Sequence, residues 1–392
     1  MKHWRGFIAA GIFGAISAAL VAFAKGHPVL IDMVYPYLSR IFTNGMADLT
    51  GGTTALVWQI LLLVWILVII GTGVLTFFTK KSPLQWAGWV LASVMLVNML
   101  STASYSLNAY ASPMADDISL KISDYTVSEL NEATVYFRDN ANKLAETLPR
   151  NSKGKVDNGA FEDLAAVAKA GFDVLTYDHA LSIFAGSDAP VKKLGMPWLF
   201  TGKGQSGVTF TLTGESAVNP RVPAGAMPYA ICKELSRRAS IYSEADTNFT
   251  AFLACVANPD PRYQYSGYLM AYYYCHAAIA DIPTSTAQAC AQATESGVSA
   301  QMRADLEDVL DFYGEAETTA NVQATANIVA PDNQTTLISF SSYTDVADLF
   351  ASWYIQRHIL PRQQTEDTNK EFDPLDETQV DLSGIVNAKP NE

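Results

Sequence analysis

Cysteine is scarce in this chain and never spaced as C-x-x-C: Cys232, Cys255, Cys275 and Cys290 are the only four in 392 residues. That spacing excludes a thiolate zinc site and a thioredoxin-like redox motif. Cys232 and Cys255 stand in apolar helical contexts and are expected to be small core residues. Cys275 and Cys290 flank a short segment and read either as a disulfide or as two separate thiols. No internal repeat is visible. Gly202-Lys203-Gly204 lacks the spacing of a phosphate-cradling loop and reads as a turn. No nucleophile, base and orienting group fall into a recognisable triad. Positive charge is also short: beyond residue 105, twenty basic residues stand against thirty-seven acidic ones. An acidic surface of that kind argues against nucleic acid or anionic lipid as its partner.

The first 105 residues have the opposite balance, six basic against two acidic. Two runs there, 54–78 and 86–105, are long enough to cross a bilayer, with Gln59 and Asn98 as the strong polar interruptions. A third, 7–24, follows Lys2 and Arg5. Its Ala22-Phe23-Ala24 end resembles a signal-peptidase site, so cleavage fits as well as retention; the two further spans favour a retained helix. Lys80-Lys81 between the second and third spans places that loop and the N-terminus in the cytoplasm, and residues from about 106 outside the cytoplasmic membrane. The expected organisation is a lipid-embedded anchor over 1–105, an extracytoplasmic domain over 106–361 and an acidic, partly ordered tail over 362–392.

Within the outer part, Thr126-Val-Ser-Glu129 is a capping box that opens an amphipathic helix to about Leu148. A second helix is expected over 161–174, and a loop over 186–206. Val208, Phe210 and Leu212 alternate with threonines, which predicts a half-buried strand ending at Gly214. Helices are expected over about 228–240, 244–256, 263–280, 296–312 and 340–358. The fold class is therefore mostly α: three N-terminal transmembrane helices plus an external α+β domain with a small sheet.

The most informative stretch is Ile231-Cys-Lys-Glu-Leu-Ser-Arg-Arg238. In H-E-x-x-H zinc peptidases, histidines four apart share a helix face and hold the metal, while the Glu between them is the general base. Here Lys233 and Arg237 occupy that spacing, with Glu234 in the base position. Read alone, the stretch fits an ordinary amphipathic helix with an exposed Lys-Glu-Ser-Arg-Arg face better than a zincin remnant.

Its flanks narrow the reading. Thr213-Gly-Glu-Ser-Ala-Val-Asn219, Pro223, Pro228, Cys232-Lys-Glu234, Ser243-Glu-Ala-Asp-Thr-Asn248 and Tyr265-Ser-Gly-Tyr268 occur in that order. The order resembles an uncharacterised bacterial membrane family, domain of unknown function DUF 3810, over roughly residues 5 to 281 and weakly beyond 300. The resemblance implies a three-span protein with an external gluzincin-like, that is zincin-like, domain. The family's two histidines fall on Lys233 and Arg237, its base on Glu234 and its third ligand on Glu244. Asn248 is kept, Thr247 replaces an alanine, and Asp246 is an adjacent alternative carboxylate.

An ammonium and a guanidinium have no lone pair to donate. A catalytic zinc takes three protein ligands and a water, so no metal and no cofactor are expected. A salt-bridge cluster of Lys233, Arg237, Glu234 and Glu244 is expected in the metal's place. Glu215 follows an edge-like strand of the kind that takes up extended substrate in zincins. It is read as lining the cleft, with a turn carboxylate as the alternative. His276, in an aromatic run, reads as a packed residue or as a rescue ligand.

The function these readings imply is that of a membrane-anchored, catalytically degenerate metallopeptidase-like protein, a pseudoenzyme. It would bind a peptide or a membrane-protein partner outside the cytoplasm. The alternatives are a hydrolase rebuilt around Glu234, Glu244, Asp246 or His276, and a structural cell-envelope protein.

Overall fold

The computed structural model describes residues 4–179, 186–198, 204–322, 337–338 and 345–362. Most of the acidic tail, Gly202-Lys203 and the expected helical start at 340–344 lie outside the described residues. The chain is mostly helical. Three helices are long and apolar enough to cross a membrane: α1 (Arg5–Gly26), α3 (Val57–Phe78) and α4 (Pro83–Ser104). Between the first two lies α2 (Pro28–Thr50), a helix the sequence reading did not anticipate.

Small residues bring α1 and α4 together. Gly6 and Ala10 on α1, and Gly88 and Ala92 on α4, are buried, and a Cβ at Gly6 would meet the Gly88 carbonyl carbon at 2.4 Å. Close backbone approach at small residues is how helices pack in lipid, where apolar side chains gain nothing from leaving the tails. Gly6 lies beside Gly88, and Asn98 Nδ2 donates to Ser17 Oγ at 3.3 Å, so the two helices run parallel. A turn at Thr79–Ser82 reverses α3 into α4. The indole N–H of Trp65 then bonds Ser93, and that of Trp86 bonds Thr72.

Past α4 the chain builds a helical head. A single helical turn, α5 (Met114–Asp117), leads to β1 (Tyr125–Thr126) and α6 (Val127–Ala145). α6 opens on the expected capping box between Thr126 and Glu129. α7 (Phe161–Val167) and α8 (Lys169–His179) together cover the expected 161–174 helix. After β2 (Lys192–Lys193), β3 (Gly207–Phe210) and β4 (Glu215–Val218) come α9 (Met227–Arg238), α10 (Glu244–Ala257) and α11 (Pro261–Ala280). α12 (Ser285–Ser296) fills a stretch for which no helix was expected, and α13 (Ala300–Val322) is interrupted at Gly314 (φ 69°). β5 (Leu337–Ile338) pairs with β1, and α14 (Val346–Tyr354) ends in a π-helical turn at Ile355–Ile359. The core forms where α6, α10 and α14 meet α11: Phe137 and Phe252 pack edge to face at 5.5 Å, and Phe252 and Trp353 at 5.0 Å. All four cysteines are free thiols, so Cys275 and Cys290 are the two separate thiols of the sequence reading.

The sheet of β2, β3 and β4 runs in the order β2-β4-β3, with β2 parallel and β3 antiparallel to β4. The expected strand thus stops at Phe210 and not at Gly214. Thr211–Gly214 form the turn into β4, and Gly214 takes φ +66°. That turn presses on α2: a Cβ at Gly214 would stand 2.2 Å from the Thr43 carbonyl oxygen and from the Ala47 nitrogen. Gly214→Ala therefore adds a left-handed-backbone penalty to a backbone clash. It is expected to cost more than about 1 kcal/mol, read as a lowered melting temperature of the detergent-solubilised protein.

Candidate functional site

Pro228 sits in the first turn of α9, where its missing N–H costs nothing. α9 ends at a left-handed Ser240 (φ 71°), and Ser243 then caps α10, its hydroxyl accepting the Asp246 N–H at 3.0 Å. This short connection sets the last turns of α9 against the first turn of α10. Lys233 and Arg237, one turn apart, both reach Glu244: Lys233 Nζ pairs with its Oε1 and Arg237 Nη2 with its Oε2. Arg237 Nε also lies 4.0 Å from Glu234 Oε1. The four side chains of the expected cluster are thus brought together.

Their surroundings differ. Glu234 is buried beneath β3, where the Thr209 hydroxyl donates to its Oε2 at 2.8 Å. Gly207 makes room for it, since a Cβ there would fall 2.6 Å from Glu234 Cγ. Burial pushes the Glu234 carboxyl above its ordinary range, against the pull of Arg237, Thr209 and Lys233. For Glu244 burial acts the same way but loses to Lys233 and Arg237, which hold the carboxyl down to about 2. The Glu244 side chain is 46% exposed, so water moderates that coupling. Arg237 is held above its ordinary value because Glu244 and Glu234 outweigh its own desolvation.

Asn248 braces the arrangement from behind. It is buried, and its amide donates to the Glu244 carbonyl at 2.9 Å and to Glu244 Oε1 at 3.3 Å, while the Tyr229 hydroxyl donates to its backbone carbonyl at 2.8 Å. Asp246 is turned elsewhere, accepting the Ser243 hydroxyl at 2.7 Å. His276 lies on α11, with Nε2 3.2 Å from the Ala291 carbonyl and its ring stacked on Tyr272, and burial lowers its pKa. It is a packed residue, as one of its two readings had it.

Glu215 corrects its reading as a cleft residue. It does follow an edge strand, β3, but it lies within β4, the central strand, and only 3% of it is exposed. Its carboxylate accepts the N–H groups of Val57 (2.8 Å) and Trp58 (2.9 Å) at the start of α3, the Lys192 ammonium (2.7 Å) and the Thr213 hydroxyl (2.9 Å). A carboxylate against the unsatisfied N–H groups of a helix start is favourable both as hydrogen bonds and as charge on the dipole. Burial alone would raise its pKa. Lys192, the two amides and Thr213 together bring it below the ordinary value.

A cavity of about 600 Å³ opens over the cluster, lined by Lys233, Glu234, Arg237 and Glu244, by residues 204–209, and by Tyr313. β3 is an edge of its sheet among the described residues and forms one wall. Sequence reasoning missed Gly207, Thr209 and Tyr313, which reach the site only through tertiary packing. It also missed Tyr105, one residue beyond α4. The Tyr105 hydroxyl donates to the Ile241 carbonyl at 2.9 Å, within electrostatic reach of Arg237, Glu234 and Glu244.

The donor set does not fit a catalytic zinc. Two of the positions facing Glu244 are cations, and among the described residues no group of three His, Cys, Asp or Glu side chains could hold a metal ion. A family model described as "Protein of unknown function (DUF3810)" matches residues 31–329. The chain belongs to the DUF3810 family. The match starts later than the resemblance read from the motifs and runs further, through α12 and α13 of this DUF3810 protein. Among curated proteins and solved structures there is no match to it.

Proposed function

We propose that this DUF3810 protein is a membrane-anchored, degenerate peptidase scaffold that binds an extended peptide segment of another protein and does not cleave it. The observation that carries the reading is the pairing of both Lys233 and Arg237 with Glu244. Two cations sit where an H-E-x-x-H helix would present its ligands, and they compensate the carboxylates that a metal would otherwise neutralise. A polar cavity beside the edge of β3 supports peptide capture, because an unpaired strand edge offers backbone groups to an extended chain. The Lys80-Lys81 turn supports a head on the outer side of the cytoplasmic membrane, with the N-terminus inside.

Two measurements test this. The purified full-length protein is expected to hold no stoichiometric zinc, and the Lys233→His, Arg237→His double variant to gain it, as Glu244 would then complete a three-residue ligand set. Zinc in the wild-type protein overturns the pseudoenzyme reading; a double variant that folds but stays metal-free overturns the placement of the motif. For the peptide, a photoreactive residue at Val208 on β3 is expected to crosslink a partner chain in membranes. If no partner is captured, the scaffold reading replaces the binding one.

A further inference from the structure

α2 is amphipathic the wrong way round for a helix packed on a protein. Its buried positions include Ser39, Arg40, Thr43 and Thr50. Ser39 shares hydrogen bonds with Asn108 and Ser240, and Thr50 donates to the Thr213 carbonyl. Ile31 turns inward, but most apolar residues of its first four turns point outward: Val29 is 71% exposed, Met33 75%, Tyr37 56% and Ile41 54%, with Val34 and Leu38 between them. A contiguous exposed apolar stripe, rimmed by polar residues, is the mark of a surface that meets a membrane or another protein.

The fold also says where the stripe lies. α1 and α4 run parallel and α3 returns against α4, so the end of α1, the start of α3 and the end of α4 share one end of the bundle. α2 begins two residues after Gly26 and ends seven residues before Val57. With 23 residues it is about 34 Å long at 1.5 Å per residue, and both its ends are tied to that same end of the bundle. The Tyr35 hydroxyl donates to the Thr102 carbonyl in the last turn of α4 (3.0 Å), and Asp32 accepts the Ser112 N–H (2.7 Å). Trp198, 63% exposed, follows Gly195, whose carbonyl accepts the Gln59 amide from the first turn of α3.

We infer that α2 is an interfacial helix. It lies in the membrane surface on the side of the head, its Val29–Ile41 stripe buried among lipid headgroups and upper acyl chains and its polar face carrying α9, the sheet and the tight helical turn Ser106–Tyr110 that follows α4. The stripe opens at Val29, three residues after the end of α1, whose own apolar residues are exposed as far as Phe23. Interfacial helices of this length bind through buried apolar area and lie in the plane of the bilayer, while Trp and Tyr favour the interface level.

The test is spin-label accessibility in lipid nanodiscs of phosphatidylethanolamine and phosphatidylglycerol. Met33→Cys, Tyr37→Cys and Ile41→Cys are made singly in a Cys290→Ser background, because the other three native thiols are buried. Ser152→Cys, on an exposed loop of the head, is the reference. Collision with oxygen relative to a water-soluble nickel chelate is expected to be several-fold higher at all three positions than at the reference. Ratios equal to the reference would overturn the proposal, as would sites closed to both reagents, which would mean that a second copy or another protein covers the stripe. Should one variant fail to fold, Val34→Cys or Leu38→Cys reads the same face.

Discussion

Glu215→Ala is expected to lower the melting temperature of the full-length protein by roughly 10 °C, at about 2–4 °C per kcal/mol for a chain of this kind. The substitution leaves the Lys192 ammonium, with 5% of its side chain exposed, without its carboxylate. It also strips the Val57 and Trp58 N–H groups of their acceptor at the start of a membrane-crossing helix. Removing one partner of a buried ion pair costs about 3–5 kcal/mol, much of it the desolvation of the charge left behind. Lys192→Met combined with Glu215→Gln is expected to recover a substantial part of the loss, since no unpaired charge remains. The pair's pH dependence has a fixed sign. The Glu215 pKa is lowered in the folded state, so its contribution is full above the ordinary carboxylate range and is lost as pH falls through the lowered value. Differential scanning fluorimetry in detergent reads all three effects; a single variant indistinguishable from wild type would overturn the pinning role.

Arg237→Ala is expected to destabilise the protein near pH 8 and to do so less near pH 5. Arg237 answers two carboxylates, and the buried one, Glu234, is already pushed toward its neutral form by its surroundings. A carboxyl whose folded pKa is raised favours folding below its unfolded value and weakens it as pH rises through the folded one. Without the guanidinium that upward shift grows, and the alkaline side suffers more. Glu244 works in the opposite direction: with its carboxyl held down to about 2, its stabilisation is full above the ordinary range and falls only in strong acid. Adding Glu234→Gln to Arg237→Ala is expected to restore stability at pH 8, with a coupling energy of about 1–3 kcal/mol from a double-mutant cycle. Zero coupling would mean that the cluster is an exposed ion pair with no bearing on the buried carboxyl.

The membrane helices and the site helices were legible in the sequence for local reasons. Long apolar runs mark α1, α3 and α4, a capping box marks the start of α6, and the i,i+4 spacing puts Lys233 and Arg237 on one face of α9. What escaped was set by distant packing. Glu215 follows a glycine turn, and nothing near it signals that its partners are Lys192 and the start of α3, more than 150 residues earlier in the chain. Gly207 and Thr209 read as strand residues, and their closeness to Glu234 exists only once β3 lies over α9. α2 escaped for another reason: Ser39, Arg40, Thr43 and Thr50 face protein while Val29, Met33, Tyr37 and Ile41 face away, the inverse of the pattern by which a surface helix is recognised.

The Glu215 contact also bears on how the head can be handled. α2 and the start of α3 fill space that the head's own residues do not: Thr50 meets Thr213, Ser39 meets Ser240, and Val57 and Trp58 meet Glu215. A fragment begun after Tyr105 would lose the floor beneath its sheet and expose a buried lysine–glutamate pair to water. Residues 28–58 are, in space, the foundation course of the head, and a faithful soluble version would have to be spliced so as to keep them while discarding the spans on either side.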